Sequence, residues 1–220
     1  MRIALLHPYS WPEVRRGAER YAHDLAWWLA TQGHDVDYVT GAAGRAVEIV
    51  DGVRFVRLRH RQLRRLAGRG VTPLDSFGVT VLPWLLRHRY DVVHAMVPAA
   101  AVAGGIARQR VVFTAIGHPA PLADPGRRKD RALARLAMRS SAVVTVLSQS
   151  AADATQRLFG ARPLVVPPGV RGDVFTAELQ PRSGPPQVLF TADASDPRKR
   201  VSVLLAAMPR VLDAVPDARL

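Results

Sequence analysis

The chain has no cysteine, two lysines (Lys129 and Lys199) and four glutamates (Glu13, Glu19, Glu48 and Glu178). Without cysteine there are no disulfides, no thiolate-held metal and no thiol nucleophile, which fits a reducing compartment. No two carboxylates pair in the manner of a glycosidase, and no Gly-x-Ser-x-Gly elbow accompanies the histidines, so neither hydrolase class is supported. The seven histidines, His7, His23, His34, His60, His88, His94 and His118, include no pair at zinc-ligand spacing within a helix. No stretch approaches 18 uninterrupted apolar residues, so no membrane-spanning helix is expected. The opening MRIALLHPYSW breaks its apolar run too early for a signal peptide and suits a first buried strand. These features together predict a cytoplasmic protein.

What is present is arginine. The chain of 220 residues carries 31 basic against 18 acidic residues, a formal charge of +13. Two blocks concentrate it. RLRHRQLRRLAGRG (57–70) holds Arg57, Arg59, Arg61, Arg64, Arg65 and Arg69, and GRRKDRALARLAMR (126–139) is the second. The alternatives are a solvated surface, or attraction to an anionic membrane surface or a phosphorylated substrate. Few aromatics interleave with the arginines, which makes nucleic acid the weakest reading. If helical, 57–70 would set Leu58, Leu63 and Leu66 beside a cationic face and lie against a membrane, held mainly by charge.

Apolar runs and helical periodicity alternate along the chain. Strands are expected at 2–7, 35–40, 91–95, 110–116 and 142–148, with a two-strand turn about Asp51-Gly52 within 48–58. Helices are expected at 17–33, 74–89, 98–108 and 127–139, and from an N-cap at Ser148 to Phe159. PLVVPPGV (163–170) closes this unit. The alternation predicts an α/β fold, a Rossmann-like doubly wound, mostly parallel sheet. Residues 176–186, rich in proline and polar groups, form a linker. Residues 187–220 then read as the first strand, basic loop and helix of a truncated second Rossmann-like domain. A lone β–α piece cannot cover both faces of its strand, so this segment is expected to self-associate.

The first strand–loop–helix junction contains Arg15-Arg16-Gly17-Ala18-Glu19. Gly17 permits close backbone approach, and the helix start offers unpaired N–H groups to a phosphate. The loop is neither Gly-x-Gly-x-x-Gly nor a Walker A loop, so nothing points to a nicotinamide or to ATP hydrolysis.

Several motifs occur in register: Gly17-Ala18-Glu19, Asp91-Val92-Val93-His94, Ala142 through Ser148, Val166-Pro167-Pro168-Gly169-Val170 with Phe175, and Val188-Leu189-Phe190 with Lys199 and Leu204-Leu205-Ala206-Ala207. Together they resemble a family-4 retaining glycosyltransferase of the GT-B fold, over the whole chain. The resemblance implies an N-terminal acceptor-side domain (1–175) and the start of a donor-binding domain (187–220). The whole enzyme would move a sugar from a nucleotide-sugar co-substrate to a lipid-linked or small-molecule acceptor. It implies donor-phosphate contacts at Gly17, Arg16, Lys199 and Arg198, and acceptor or sugar-site roles for Glu19 and His118. No resident cofactor or metal is expected. Arg16 stands where the family has the first glycine of a Gly-Gly pair, and Ala192-Asp193 replaces a Gly-Arg pair. The family's Glu-x7-Glu motif is missing from these residues, so the catalytic residues are unknown. The 220 residues alone are expected to be inactive. A silent binding module that keeps an acceptor or anionic-surface site is the alternative.

Overall fold

The computed structural model describes residues 1–60, 70–174, 184–192 and 194–220, without the side chain of Arg198. The arginine-rich stretch 61–69 and most of the expected linker lie outside the described residues. The chain divides into two compact units, Met1–Phe175 and Thr176–Leu220.

The first unit is built on an eight-stranded sheet of order β3-β4-β2-β1-β5-β6-β7-β8. The strands are β1 (Arg2–Leu6), β2 (Asp35–Ala42), β3 (Ala46–Val50), β4 (Val53–Arg59), β5 (Val92–Ala95), β6 (Val111–Ala115), β7 (Val143–Val146) and β8 (Leu164–Val165). All neighbours run parallel except β3 and β4, which form the hairpin about Asp51-Gly52. Only Asp51 and Gly52 bridge the two strands, and both take positive φ there.

Among the described residues this unit has five α-helices: α1 (Gly17–Thr31), α2 (Pro73–Arg87), α3 (Pro98–Ile106), α4 (Arg128–Arg139) and α5 (Gln149–Phe159). Two of them start on side-chain caps. Thr72 and Asp75 form a reciprocal capping box at α2, with Pro73 in its first turn. Ser148 accepts from the Ala151 amide to cap α5, and Gly160 at φ 71° ends it. Helix α1 packs Ala22 and Ala26 against Leu5, Tyr38 and Phe55 on one sheet face. On the other face, Phe77, Val81 and Leu85 of α2 join Ala100 and Ala103 of α3 over Leu6, Val93 and Phe113. After β8 the chain returns to α1, where the Arg171 guanidinium sits 3.9 Å above the Trp27 ring.

Strand alternation puts His94, Thr114 and Thr145 on the face opposite the larger core. They form a polar row, with His94 Nε2 2.6 Å from Thr114 Oγ1 and Thr114 Oγ1 2.7 Å from Thr145 Oγ1. Burial pushes the His94 pKa down to about 4. The unfolded chain therefore binds this proton more tightly than the folded one. Stability from the neutral ring is full above the ordinary histidine pKa and is lost as pH falls from about 6.5 toward about 4. The loss should amount to about 3 kcal/mol. Urea melts across that range should show it in the wild type and a much smaller slope in His94→Gln.

The second unit carries a short 3-10 turn (Pro197–Lys199) and helix α6 (Val201–Ala214). The strand expected to open this unit is corrected. Among the described residues of this unit, the pairing is an isolated parallel bridge between Gln187 and Arg219. It is held by Val188 N–H donating to Arg219 O at 2.7 Å and Arg219 N–H donating to Pro186 O at 2.9 Å. Pro185 and Pro186 have no N–H to extend a ladder. Leu189, Val203 and Leu205 are exposed in this unit.

Candidate functional site

Chain direction reverses at β1. The path leaves β1 toward β2 through α1, and later returns from β4 through α2 to β5 on the other side of β1. At such a switch point the loops beyond the carboxyl ends of adjacent strands diverge and leave a crevice. The lips here are the loop from His7 to Arg16, the Met96-Val97 turn into α3, and the segment 116–119 after β6.

Arg16 is the N-cap residue of α1, in extended backbone conformation and without a side-chain cap. The first-turn amides of α1 are thus left without a capping side chain, beside the positive end of the helix dipole. A Cβ at Gly17 would meet nothing within 4 Å. The glycine is not demanded by packing, and its absent side chain leaves the backbone open to a ligand.

Arg16 does not reach freely into the crevice. Its Nη2 lies 2.5 Å from Glu19 Oε1, and its guanidinium carbon sits 5.2 Å from the centre of the Tyr9 ring. The Arg16 side chain is 62% exposed while that of Glu19 is 2% exposed. Glu19 Oε2 is buried with no hydrogen-bond partner. Glu19, the residue expected at the acceptor site, is buried in the first turn of α1 and holds Arg16 through one carboxylate oxygen. One buried carboxylate offsets this guanidinium's charge before any anion arrives.

The loop before Arg16 is itself fixed. Ser10 Oγ donates to Glu13 Oε2 at 2.8 Å, and Arg57 Nη2 donates to Glu13 Oε1 at 2.7 Å. His7 Nδ1 is 2.8 Å from Tyr9 O, and Tyr38 donates its hydroxyl to the same carbonyl at 3.0 Å. Burial lowers the His7 pKa, opposed by its Tyr9 contact and by the Glu19 carboxylate. Neither His7 nor Tyr9 stands out in the sequence, because both roles depend on contacts across the β1–α1 loop. The His-Pro-Tyr string directly after an apolar strand was the available signal.

His118 is exposed beyond the end of β6. Its Nδ1 accepts from the Ala120 amide at 3.2 Å, which leaves the proton on Nε2, 3.2 Å from Ser150 Oγ. Lys199 lies in the 3-10 turn before α6, in the second unit, and the Arg198 side chain lies outside the described residues. Among the described residues, no group of three or more His, Asp or Glu side chains converges as a metal site. No described helix is long and apolar enough to cross a membrane.

The family described as Glycosyltransferase Family 4 matches residues 15–173, beginning at the Arg15-Arg16-Gly17 junction. The chain belongs to this family. A phosphatidyl-myo-inositol mannosyltransferase of Propionibacterium freudenreichii is 30% identical over 234 residues, covering 99% of this chain and 60% of the relative. The protein of the same name from Mycobacterium tuberculosis is 26% identical over 245 residues, covering 100% of this chain and 59% of the relative. The chain thus spans about 60% of the length of these curated relatives. Among solved structures, a sucrose-phosphate synthase from Thermosynechococcus elongatus superposes with a TM-score of 0.73 at 19% identity, over 99% of this chain and 60% of that one. Anabaena HepE, solved in complex with UDP-glucose, gives 0.55 at 19% identity over 79% of this chain and 45% of that one. These likenesses agree with the doubly wound sheet and flanking helices of a GT-B glycosyltransferase domain.

Proposed function

We propose that residues 1–175 form the acceptor-side domain of an enzyme that transfers a hexosyl group from a nucleoside diphosphate sugar, with retention, to a phosphate-bearing polyol such as an inositol phospholipid. The observation that carries this reading is the Arg16-Gly17 junction at the switch point of a family-4 domain. An uncapped helix start and an arginine there meet the lip of an open crevice. The relatives named as phosphatidyl-myo-inositol mannosyltransferases and the HepE complex with UDP-glucose support the acceptor and donor classes.

In this reading the α1 amides at Gly17 and Ala18, with Arg16, neutralise the leaving diphosphate. His118, whose Nε2–H lies 3.2 Å from Ser150 Oγ, would turn from that contact to donate to a hydroxyl of the sugar or acceptor. Glu19 acts through Arg16 as a positioning residue. The chemistry assigned to these residues is placement and charge neutralisation, and it calls for no resident metal.

Isothermal titration with glycerophospho-myo-inositol, a soluble acceptor head group, tests the assignment. Saturable millimolar binding is expected, weakened about tenfold in His118→Ala by loss of one hydrogen bond. Absence of binding, or full binding in His118→Ala, would overturn the acceptor assignment.

A further inference from the structure

His7 follows β1 directly and takes no part in the roles assigned above, yet it is a titratable group only 3% exposed. Its amide donates to Val39 O at 3.3 Å, which continues the β1–β2 pairing by one residue. The ring then turns onto the backbone of the loop it begins. Nδ1 lies 2.8 Å from Tyr9 O and 3.3 Å from the Tyr9 amide nitrogen. A carbonyl can only accept, so the shorter contact puts the proton of the neutral ring on Nδ1. Nε2 is then the basic atom, and among the described residues it makes no hydrogen bond.

The charges that act on this ring come from the start of α1. Burial, the largest effect, lowers the His7 pKa; the Glu19 carboxylate favours the imidazolium and the Arg16 guanidinium disfavours it. Tyr38 of β2 and Glu13 of the loop are the other titratable groups nearby. Tyr38 shares the Tyr9 carbonyl with His7, and burial keeps its hydroxyl protonated. Glu13 is already paired with Arg57. Met96, whose amide bonds Leu6 O beyond β5, brings no charge. In the free chain the two α1 charges offset each other, because Arg16 holds Glu19 Oε1 at 2.5 Å. Glu19 Oε2 has no partner even then. Once Arg16 turns to a phosphate, Glu19 is a buried carboxylate with both oxygens unpaired, a costly state unless a positive charge replaces the guanidinium. The His7 ring can supply one.

We propose that His7 and Glu19 form a proton-holding pair: when Arg16 leaves Glu19 for a diphosphate, His7 Nε2 takes one proton from solvent, and that proton returns to solvent when the ligand departs. This rests on the reading of the β1–α1 junction as the diphosphate site. Binding is then linked to proton uptake. The bound chain holds the proton more tightly than the free chain, so affinity rises as pH falls below the His7 pKa of the bound state. It levels off once His7 of the free chain is protonated as well. One linked proton gives at most about tenfold tighter binding per pH unit.

The test has two arms. The first follows the His7 ring by NMR in the free chain from about pH 5 to about pH 9, its signal assigned by loss in His7→Gln. Arg16→Ala stands in for an arginine turned away. His7 should titrate below the ordinary value of 6.5 in the wild type, and at least about one pH unit higher in Arg16→Ala. Arg16→Ala/Glu19→Gln should cancel the rise, and Arg16→Lys, which keeps a cation beside Glu19, should stay near the wild type. An unmoved His7 in Arg16→Ala, or an equal rise without the Glu19 charge, overturns the pair. The second arm needs no Arg16 variant. Isothermal titration with UDP-glucose, in two buffers of different ionisation heat at about pH 7, counts protons, because the esterified diphosphate of this ligand does not itself titrate there. The wild type should take up protons and bind more tightly toward acid pH. His7→Gln, which keeps an N–H for Tyr9 O, should show neither effect; equal uptake in this variant overturns the proposal. Absence of UDP-glucose binding at every pH overturns the diphosphate reading instead, and the imidazole titration then decides the pair separately.

Discussion

Arg16→Ala should destabilise the first unit by about 2–3 kcal/mol, far more than loss of an exposed arginine usually costs. The reason is the residue left behind. Glu19 has a side chain 2% exposed and one oxygen without a partner already, so removing the 2.5 Å contact to Arg16 orphans the other. Breaking a fully buried ion pair costs about 3–5 kcal/mol, and the figure here is reduced because Arg16 is 62% exposed and water can enter beside it. The melting midpoint should fall by roughly 4–12 °C for a unit of this size. Replacing both members, Arg16→Ala with Glu19→Met, should return most of the loss, since an apolar side chain of similar volume leaves no buried charge. A single variant as stable as the wild type would show that Glu19 is solvated and that Arg16 is not positioned by it.

Gly78→Val should be at least as damaging, and for a steric reason. Helices α2 and α3 cross with almost no gap at this point. A Cβ on Gly78 would stand 2.5 Å from the Ala99 carbonyl oxygen and 2.9 Å from the Ala99 Cβ. The closest obstacle is backbone in the first turn of α3, so it cannot swing aside as a long side chain would. Relief requires the helices to separate, which would loosen Phe77 and Val81 against Ala100 and Ala103 in the larger core. Overpacking of this kind costs about 1–3 kcal/mol for a modest insertion, and valine here should lie at or above the upper end. By contrast, Gly17→Ala meets no neighbour and should fold normally. Urea unfolding of the two variants side by side separates the packing glycine from the open one. Equal stability would mean that α2 and α3 do not approach as described.

Much of the first unit was legible because the sequence states it locally. The apolar runs at Ile3–Leu6 and Val111–Ala115, the Asp51-Gly52 turn and the Ser148 cap each carry their own structural signal, and each element lies within a few residues of its expected bounds. The opening strand of the second unit failed because a strand exists only with partners. The apolar string at 188–190 meets one bridging residue at Arg219 and stops. At the crevice, Gly17 and Arg16 were visible from their place after β1. The grip of Glu19 and Tyr9 on Arg16 was not, since it depends on the path of the Pro8–Arg15 loop. A groove beneath the β3–β4 hairpin was equally hidden. Its lining comes from β3, β4 and α2, segments far apart in sequence that are brought together because β3 turns back along β4 beside α2.

Amide chemical shifts of the chain, followed during titration with GDP, UDP and ADP, test most directly whether the β1–α1 junction receives a nucleotide's phosphates. The account expects saturable shifts concentrated at Gly17, Ala18 and Glu19, with smaller changes at Met96-Val97 and Gly117-His118, and weaker binding in Arg16→Ala. Shifts centred away from the crevice, or none at millimolar nucleotide, would contradict it.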